Sequence, residues 1–569
     1  MPVPLKSVIA FTSRIATRAA PLALALLLLA PAVLAAQGTE VLRGKVTGPD
    51  KKPVPGVAVE ITGLVTQTVS TAITNDKGIY TALFTNAEGD YILTVRRIGF
   101  APITTRVTRT GISSVLATDF ELQPMAVVLD SITALGRKLG GVDGQPSVGG
   151  VELNALANAQ FLLDPTDLLA MALTVPGVTS VGDSAFSVLG AAATSNNTTV
   201  DGTKSGATNI PQDAIASVKV ITTSADVSRS GFAGGQTSVI LRTGSEVFGS
   251  TIRGTFVNPT LSWADPDYPQ PPATLADFSG SISGPIVKKK AHYISSWDLN
   301  SRALNSYTLL NAGPNILSQY GFTADTVNAV ENALRQLNIP LSLNGAPDDQ
   351  VLTRFNNTAV IDYSPSSTTS LKLTWQGQWF GYHGLGLSSQ SLPTNTSKST
   401  STYQQLTFKG SGYVHGLLNE LTESFSYGNN TSTPYSGLPG ASVRIGTVFS
   451  DGTTGLGNVR FGGGSGFSQG HNFSSDLTDE VSWITSNSKH KIKVGGEFEY
   501  DWSTSYSAGN QFGNYSYLTV TDLVNNTPAS FSRTLDAQQR DSKGTTTSLY
   551  VGDEWAPSKA LNLQYGWRI

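Results

Sequence analysis

The chain contains no cysteine in 569 residues, which excludes disulfide staples and thiolate metal sites. It is also poor in charge: Asp, Glu, Lys and Arg make up 14%, and the net charge is −3, so there is no electrostatic footprint for nucleic acid. The five histidines (His292, His383, His415, His471 and His490) are scattered without ligand spacing, and no HExxH occurs. After the first forty residues no run approaches the ~18 apolar residues of a spanning helix. Any membrane insertion must therefore be by a barrel of strands. What is plentiful is glycine, 57 residues, alongside Ser, Thr and Asn. With only 39% hydrophobic residues, that mixture suits long sheets with polar loops. The length calls for several structural units.

Residues 1–36 read as a secretory signal peptide. Lys6, Arg14 and Arg18 form a basic start, residues 22–30 are a short apolar core between Pro21 and Pro31, and small residues follow at Ala35 and Ala36. The run is too short to anchor the chain as a helix.

From about residue 246 onward the dominant signal is period-two alternation. In residues 371–380 (LKLTWQGQWF), Leu371, Leu373, Trp375 and Trp379 fall on one side, with Lys372, Thr374, Gln376 and Gln378 on the other. Residues 491–500 repeat it, with Ile492, Val494, Phe498 and Tyr500 against Lys491, Lys493, Glu497 and Glu499. Repeated over some three hundred residues with aromatics near strand ends, this predicts a transmembrane antiparallel β-barrel. Trp375, Trp379, Trp483, Trp555 and Trp567 then read as interface anchors; core packing in a soluble sheet is their alternative. Short turns are expected at residues 287–291, 364–369, 415–417, 486–490 and 557–559. Five hairpins plus an opening strand at 248–257 give about eleven strands. The opposite connections, such as 381–400 and 428–469, read as long polar loops, with a helix at 324–337. Eleven is odd, and the chain stops in an alternating strand at Ile569, so the expectation is the N-terminal part, about half, of a larger barrel.

Residues 40–123 read as a small β-sandwich: VLRGKVTG, VAVEITG, YTALFT, YILTVRRIGF and TTRVTRT are strand-like, separated by PDKKPVPG, NDKG and NAEGD. Gly44-Lys45-Val46, Pro55-Gly56-Val57, Thr74 through Gly78, Gly89-Asp90-Tyr91 and Gly99-Phe100 resemble the carboxypeptidase regulatory-like domain. That resemblance carries no catalysis, because the family's peptidase activity belongs to a separate zinc domain.

Residues 124–150 are a glycine-rich linker, and residues 151–245 a compact α+β unit. Within it, residues 165–173 can form a short helix. The blocks FSVLGAAATSNNTTVDG, DAIASVKVIT and FAGGQTSVILRTGS follow. They resemble the plug domain of TonB-dependent outer-membrane receptors. Gly190, Asn197, Asp201 and Gly202 match its first block, Ile215, Val218 and Val220-Ile221 its second, and Gly234-Gly235 with Val239 its third. Two departures stand out: Ala216-Ser217 replaces an acidic residue, and Ala191 to Ala193 stand where an Arg is common. The resemblance also implies a TonB box just ahead of the plug. The segment Leu129, Asp130, Ser131, Ile132, Thr133, Ala134 and Leu135 occupies that place and would pair with the edge of a TonB strand. A plain linker strand is the other reading of the same residues.

Remaining chemistry is sparse. NDKG and NAEGD lack the acidic ladder of a calcium loop and read as turns. GFAGGQ has no following Lys-Ser/Thr, so it is no phosphate cradle. Its glycines instead allow a tight turn against neighbouring backbone. Lys288-Lys289-Lys290 reads as a solvated hairpin tip. No cofactor, metal or enzymatic activity is expected. What the resemblance implies is import: an extracellular nutrient bound outside, TonB as energising partner, outer-membrane lipid around the barrel, and no nucleic acid. A secreted or surface β-rich binding protein, such as an adhesin, is the rival; a secreted peptidase lacks any zinc-ligand set.

Overall fold

The computed structural model describes residues 40–64, 69–84, 89–97, 100, 102–109, 115–123, 150–153, 166–175, 177–181, 185–221, 227–228, 235–258, 273–304, 307–343, 346–347, 349–449, 452–464, 466–485, 490–558 and 561–569. The signal segment and the candidate TonB box, residues 129–135, lie outside them, as does Gly234.

The N-terminal unit is two facing sheets. One orders Ile79–Phe84, Glu40–Thr47 and Val115–Ala117, with Phe120–Glu121 pairing further along Glu40–Thr47. The other orders Val69–Ile73, Ala58–Gly63, Asp90–Arg96 and Ile103–Thr108. Alternation sends Leu42, Val46, Tyr80, Ala82, Ile61 and Leu93 between the sheets, where all are essentially buried. Gly44 is required there: a Cβ would sit 1.7 Å from the Thr118 carbonyl oxygen. The expected strands are present. Val69–Ile73, Val115–Ala117 and Phe120–Glu121 are additional, too short or too mixed to carry a period of their own.

The α+β unit holds a mixed sheet ordered Thr203–Lys204, Asn197–Val200, Gln236–Leu241, Ile215–Ile221 and Gly150–Leu153, plus the hairpin Val178–Val181 with Ala185–Val188. Its helix is Leu168–Ala172, started by Asp167, whose Oδ1 accepts from the Leu169 and Ala170 amides at 2.8 and 3.2 Å. A single 3₁₀ turn, Gln212–Ala214, precedes strand Ile215–Ile221.

Eleven strands make one antiparallel sheet in sequence-neighbour order. They are Gly249–Val257, Ala273–Val287, Ala291–Leu304, Gln350–Ser366, Thr369–Leu385, Ser397–Val414, Leu417–Pro434, Ser468–Ile484, His490–Ser507, Gln538–Ser558 and Leu561–Arg568. The count agrees with the turn-by-turn reading, and the described short turns fall at 288–290, 367–368 and 415–416. The sheet is inside-out relative to a soluble protein. On Thr369–Leu385, Lys372, Thr374, Gln376 and Gln378 are buried, whereas Leu373, Trp375 and Trp379 are 39–40% exposed. On Gln350–Ser366, Arg354, Asn356, Thr358 and Asp362 are buried and Phe355, Ile361 and Tyr363 exposed. Such a wall is stable only with its apolar face in lipid and its polar face against a filled lumen. Among the described residues no second apolar layer covers these exposed rows, which removes the core-packing alternative for Trp375 and Trp379.

The long connections differ from the expected polar loops. Strands of 17 and 18 residues far exceed the ~9–11 needed to cross a bilayer, so they continue beyond it. The stretch 428–469 is strand up to Pro434, then Gly440–Val448 and Thr454–Gly462, and strand again from Ser468. These two inserted strands sheet with Asn514–Tyr517 and Ser530–Ser532 from a different connection. Helices Pro314–Gln319, Ala324–Gln336 and Val520–Val524 pack with them. Leu317, Val330, Leu334, Val443, Phe461 and Leu523 form the shared core of this cap. The helix expected at 324–337 is therefore present, started by Thr323, whose Oγ1 accepts from the Thr326 amide at 3.2 Å.

Candidate functional site

The α+β unit packs against the buried polar face of the wall, and their interface is the candidate site. Its centre is the Asp-Gly pair. Asp201 and Gly202 join Asn197–Val200 to Thr203–Lys204 with φ of +50° and +85°, the two-residue hairpin pattern that favours Asp-Gly. The turn aims the Asp201 side chain two ways. Oδ1 accepts the Leu241 amide at 3.0 Å, tying the turn to its own sheet. Oδ2 lies 2.7 Å from Lys372 Nζ on the wall, an ion pair with both side chains nearly sealed from water.

Register explains why the charges collect here. His292 stands opposite Asp362, Asp362 opposite Lys372, and Lys372 opposite Lys409, across four consecutive strands. Asp201 adds a negative charge beside two buried lysines. At the other end of the row, His292 is held between Asp362 at 3.1 Å and Glu246 at 3.0 Å. The Gly244 amide donates to Asp362 Oδ1 at 3.1 Å, so the segment leaving the α+β unit is fixed to the wall.

Further hydrogen bonds and another ion pair complete the seam. Gly206 donates to the Tyr403 hydroxyl at 2.9 Å, and Gln405 Nε2 to the Lys204 carbonyl at 2.9 Å. The Gln378 amide bonds the Asn209 carbonyl, and Lys204 pairs with Glu499. Arg354 donates to Thr166 Oγ1 at 2.8 Å. Among the described residues, apolar contact across the seam brings Ile294 and Val360 of the wall to Leu168, Ile210 and Ile215. A mostly polar seam can be broken and rehydrated at lower cost than an apolar core.

The other expected residues have structural parts. Gly190, at φ +83°, turns the chain after Ala185–Val188. Asn197 lies in strand, paired with Gln236, while its neighbour Asn196 makes the cross-link: its Nδ2 donates to the Phe186 carbonyl at 2.6 Å and its Oδ1 accepts from the Gly235 amide at 2.7 Å. Gly235 is needed because a Cβ would meet Val188 at 2.4 Å. The sequence reading missed the seam roles of Lys372, Lys409, Tyr403 and Gln378, and the cross-link that Asn196 makes within the α+β unit. The available signal for the first two was lysine on the lumen side of a strand, a place where charge needs a partner. Among the described residues no group of three or more His, Asp or Glu is arranged to hold a metal.

With this geometry established, comparison places the units. Residues 41–123 match the carboxypeptidase regulatory-like domain, and residues 343–569 an outer membrane beta barrel domain. The chain thus carries a regulatory-like domain and, over residues 343–569, an outer membrane beta barrel domain. Its fold is that of solved outer-membrane receptors and transporters. The outer membrane transporter YddB from Escherichia coli superposes with a TM-score of 0.51 at 13% identity, over 74% of this chain and 56% of that one. A mutant of the ferric enterobactin receptor PfeA from Pseudomonas aeruginosa gives 0.50 at 13% identity, over 74% and 57%. The chain spans a little over half the length of these structures. No curated protein matches it.

Proposed function

We propose that the protein is a TonB-dependent outer-membrane receptor that binds an extracellular nutrient and imports it when TonB rearranges the α+β unit, which acts as its plug. The observation that carries this reading is a polar-faced wall whose lumen side is occupied by a folded unit, held largely through ion pairs and hydrogen bonds. A passive pore has no need of such a unit, and a force-displaced plug needs a seam of this kind. The proposal is transport by conformational gating, with no covalent chemistry. Recognition of the nutrient falls to the outer connections, which the fold does not determine.

The test uses full-length protein in outer-membrane vesicles and the purified C-terminal domain of TonB. Binding is expected, and Ile132→Pro should abolish it, because proline removes an N–H that strand addition requires. Binding unchanged by Ile132→Pro moves the TonB box elsewhere. No binding by the parent protein overturns the TonB-dependent reading.

A further inference from the structure

Two side-chain patterns are broken in this molecule, and the breaks meet. In the N-terminal sandwich, Leu42 and Ala82 face the core, so Val41 and Leu83, directly paired across the same two strands, point away from it. A free sandwich would leave both in water, yet they are 0% and 7% exposed. On the wall, the inner row of Ser397–Val414 runs Gln405, Thr407, Lys409, Ser411 and then Tyr413. Tyr413 pairs with Leu418, next to the short turn at 415–416. An apolar pair thus interrupts a polar face just at the turn end. Val41, Leu83 and Leu418 form one buried cluster, with Tyr413 packed against it. Beside it the Leu83 amide donates to the Ser367 carbonyl, 2.9 Å away, in the neighbouring short turn.

The geometry points to a latch: the regulatory-like domain docks through Val41 and Leu83 onto the short-turn rim at Ser367, Tyr413 and Leu418, and it does so reversibly. This rests on reading the wall as an outer-membrane barrel with its short turns toward the periplasm. Because Tyr413 and Leu418 belong to the inner face, the domain sits at the lumen side of that rim, where the plug must rearrange. Among the described residues the apolar part of this contact is four side chains beside one backbone bond, small for an interdomain interface, for which relative motion is the ordinary expectation.

These 569 residues contain no native cysteine to compete with the introduced ones. In full-length protein in outer-membrane fragments, Leu83→Cys with Ser367→Cys should form an intramolecular disulfide under mild oxidation. Backbones joined by one N–H···O bond bring Cα atoms into the range of about 4.4–6.8 Å that a disulfide spans. Leu83→Cys with Lys289→Cys, at another turn of the rim, should not cross-link. Singly, Leu83→Cys should react with a maleimide at least ten times more slowly than Ile73→Cys, which is 68% exposed, and yet react to completion. Adding Leu418→Asp should bring the two rates together. Equal cross-linking at both turns, or equal labelling rates without Leu418→Asp, overturns the docking. A Leu83→Cys variant that never labels overturns the reversibility. None of these readouts uses transport, so they stand apart from the test with TonB.

Discussion

Replacing Asp201 by asparagine removes one charge from the centre of the seam and little else. Asparagine keeps the Oδ1 that accepts the Leu241 amide and tolerates the φ of +50°. Lys372, 2.7 Å from the lost carboxylate, is then left buried beside Lys409. Breaking a buried ion pair by removing one partner costs roughly 3–5 kcal/mol. Asp362 still stands opposite Lys372 across the strand pair, so the lower end, about 3 kcal/mol, is expected here. At about 1.4 kcal/mol per decade this is a change of roughly a hundredfold in local opening. Native-state hydrogen exchange reads it directly, on peptides covering 197–204 and 236–241. Adding Lys372→Met removes the buried cation, while Asp362 keeps Gly244 and His292; protection should return to within about tenfold of the parent. A change below about threefold in Asp201→Asn, or a double variant no better protected than the single, would refute the argument that this pair holds the α+β unit to the wall.

Three further outcomes are expected. Leu373→Arg puts a guanidinium on the exposed apolar face and should cost about 2–4 kcal/mol at mid-bilayer depth, measured by reversible unfolding in lipid vesicles; a loss under about 0.5 kcal/mol would remove the lipid-facing assignment of that row. Leu334→Ala, fully buried in the cap, should destabilise it by about 2–5 kcal/mol and speed exchange in 440–448 and 514–517 together while wall amides stay protected. Exchange rising in the helix alone would show that the outer connections are not one unit. Asp167→Ala removes both bonds at the start of Leu168–Ala172 and should cost about 1 kcal/mol, seen as faster exchange at Leu169 and Ala170; unchanged rates would show the cap to be dispensable.

The wall was readable because its signal is local. Alternation at period two, interrupted by two- or three-residue turns, specifies a strand, its faces and its next neighbour, so eleven strands could be counted residue by residue. The Asp-Gly pair at 201–202 was singled out only through the family resemblance; that it forms a turn is seen in its two successive positive φ values, which few residue types accept.

What the tertiary structure decided is partnership between segments with no shared period. That Asp201 would meet Lys372 depends on how the α+β unit lies against the wall and on the register that sets Lys372 between Asp362 and Lys409. The cap draws Leu317 and Leu334 from one connection and Val443 and Leu523 from two others, each too polar on its own to announce a core. Val41 and Leu83 read as ordinary strand residues until their outward face is seen against Leu418. Local sequence sets which way a side chain points; packing across the chain sets what it finds there.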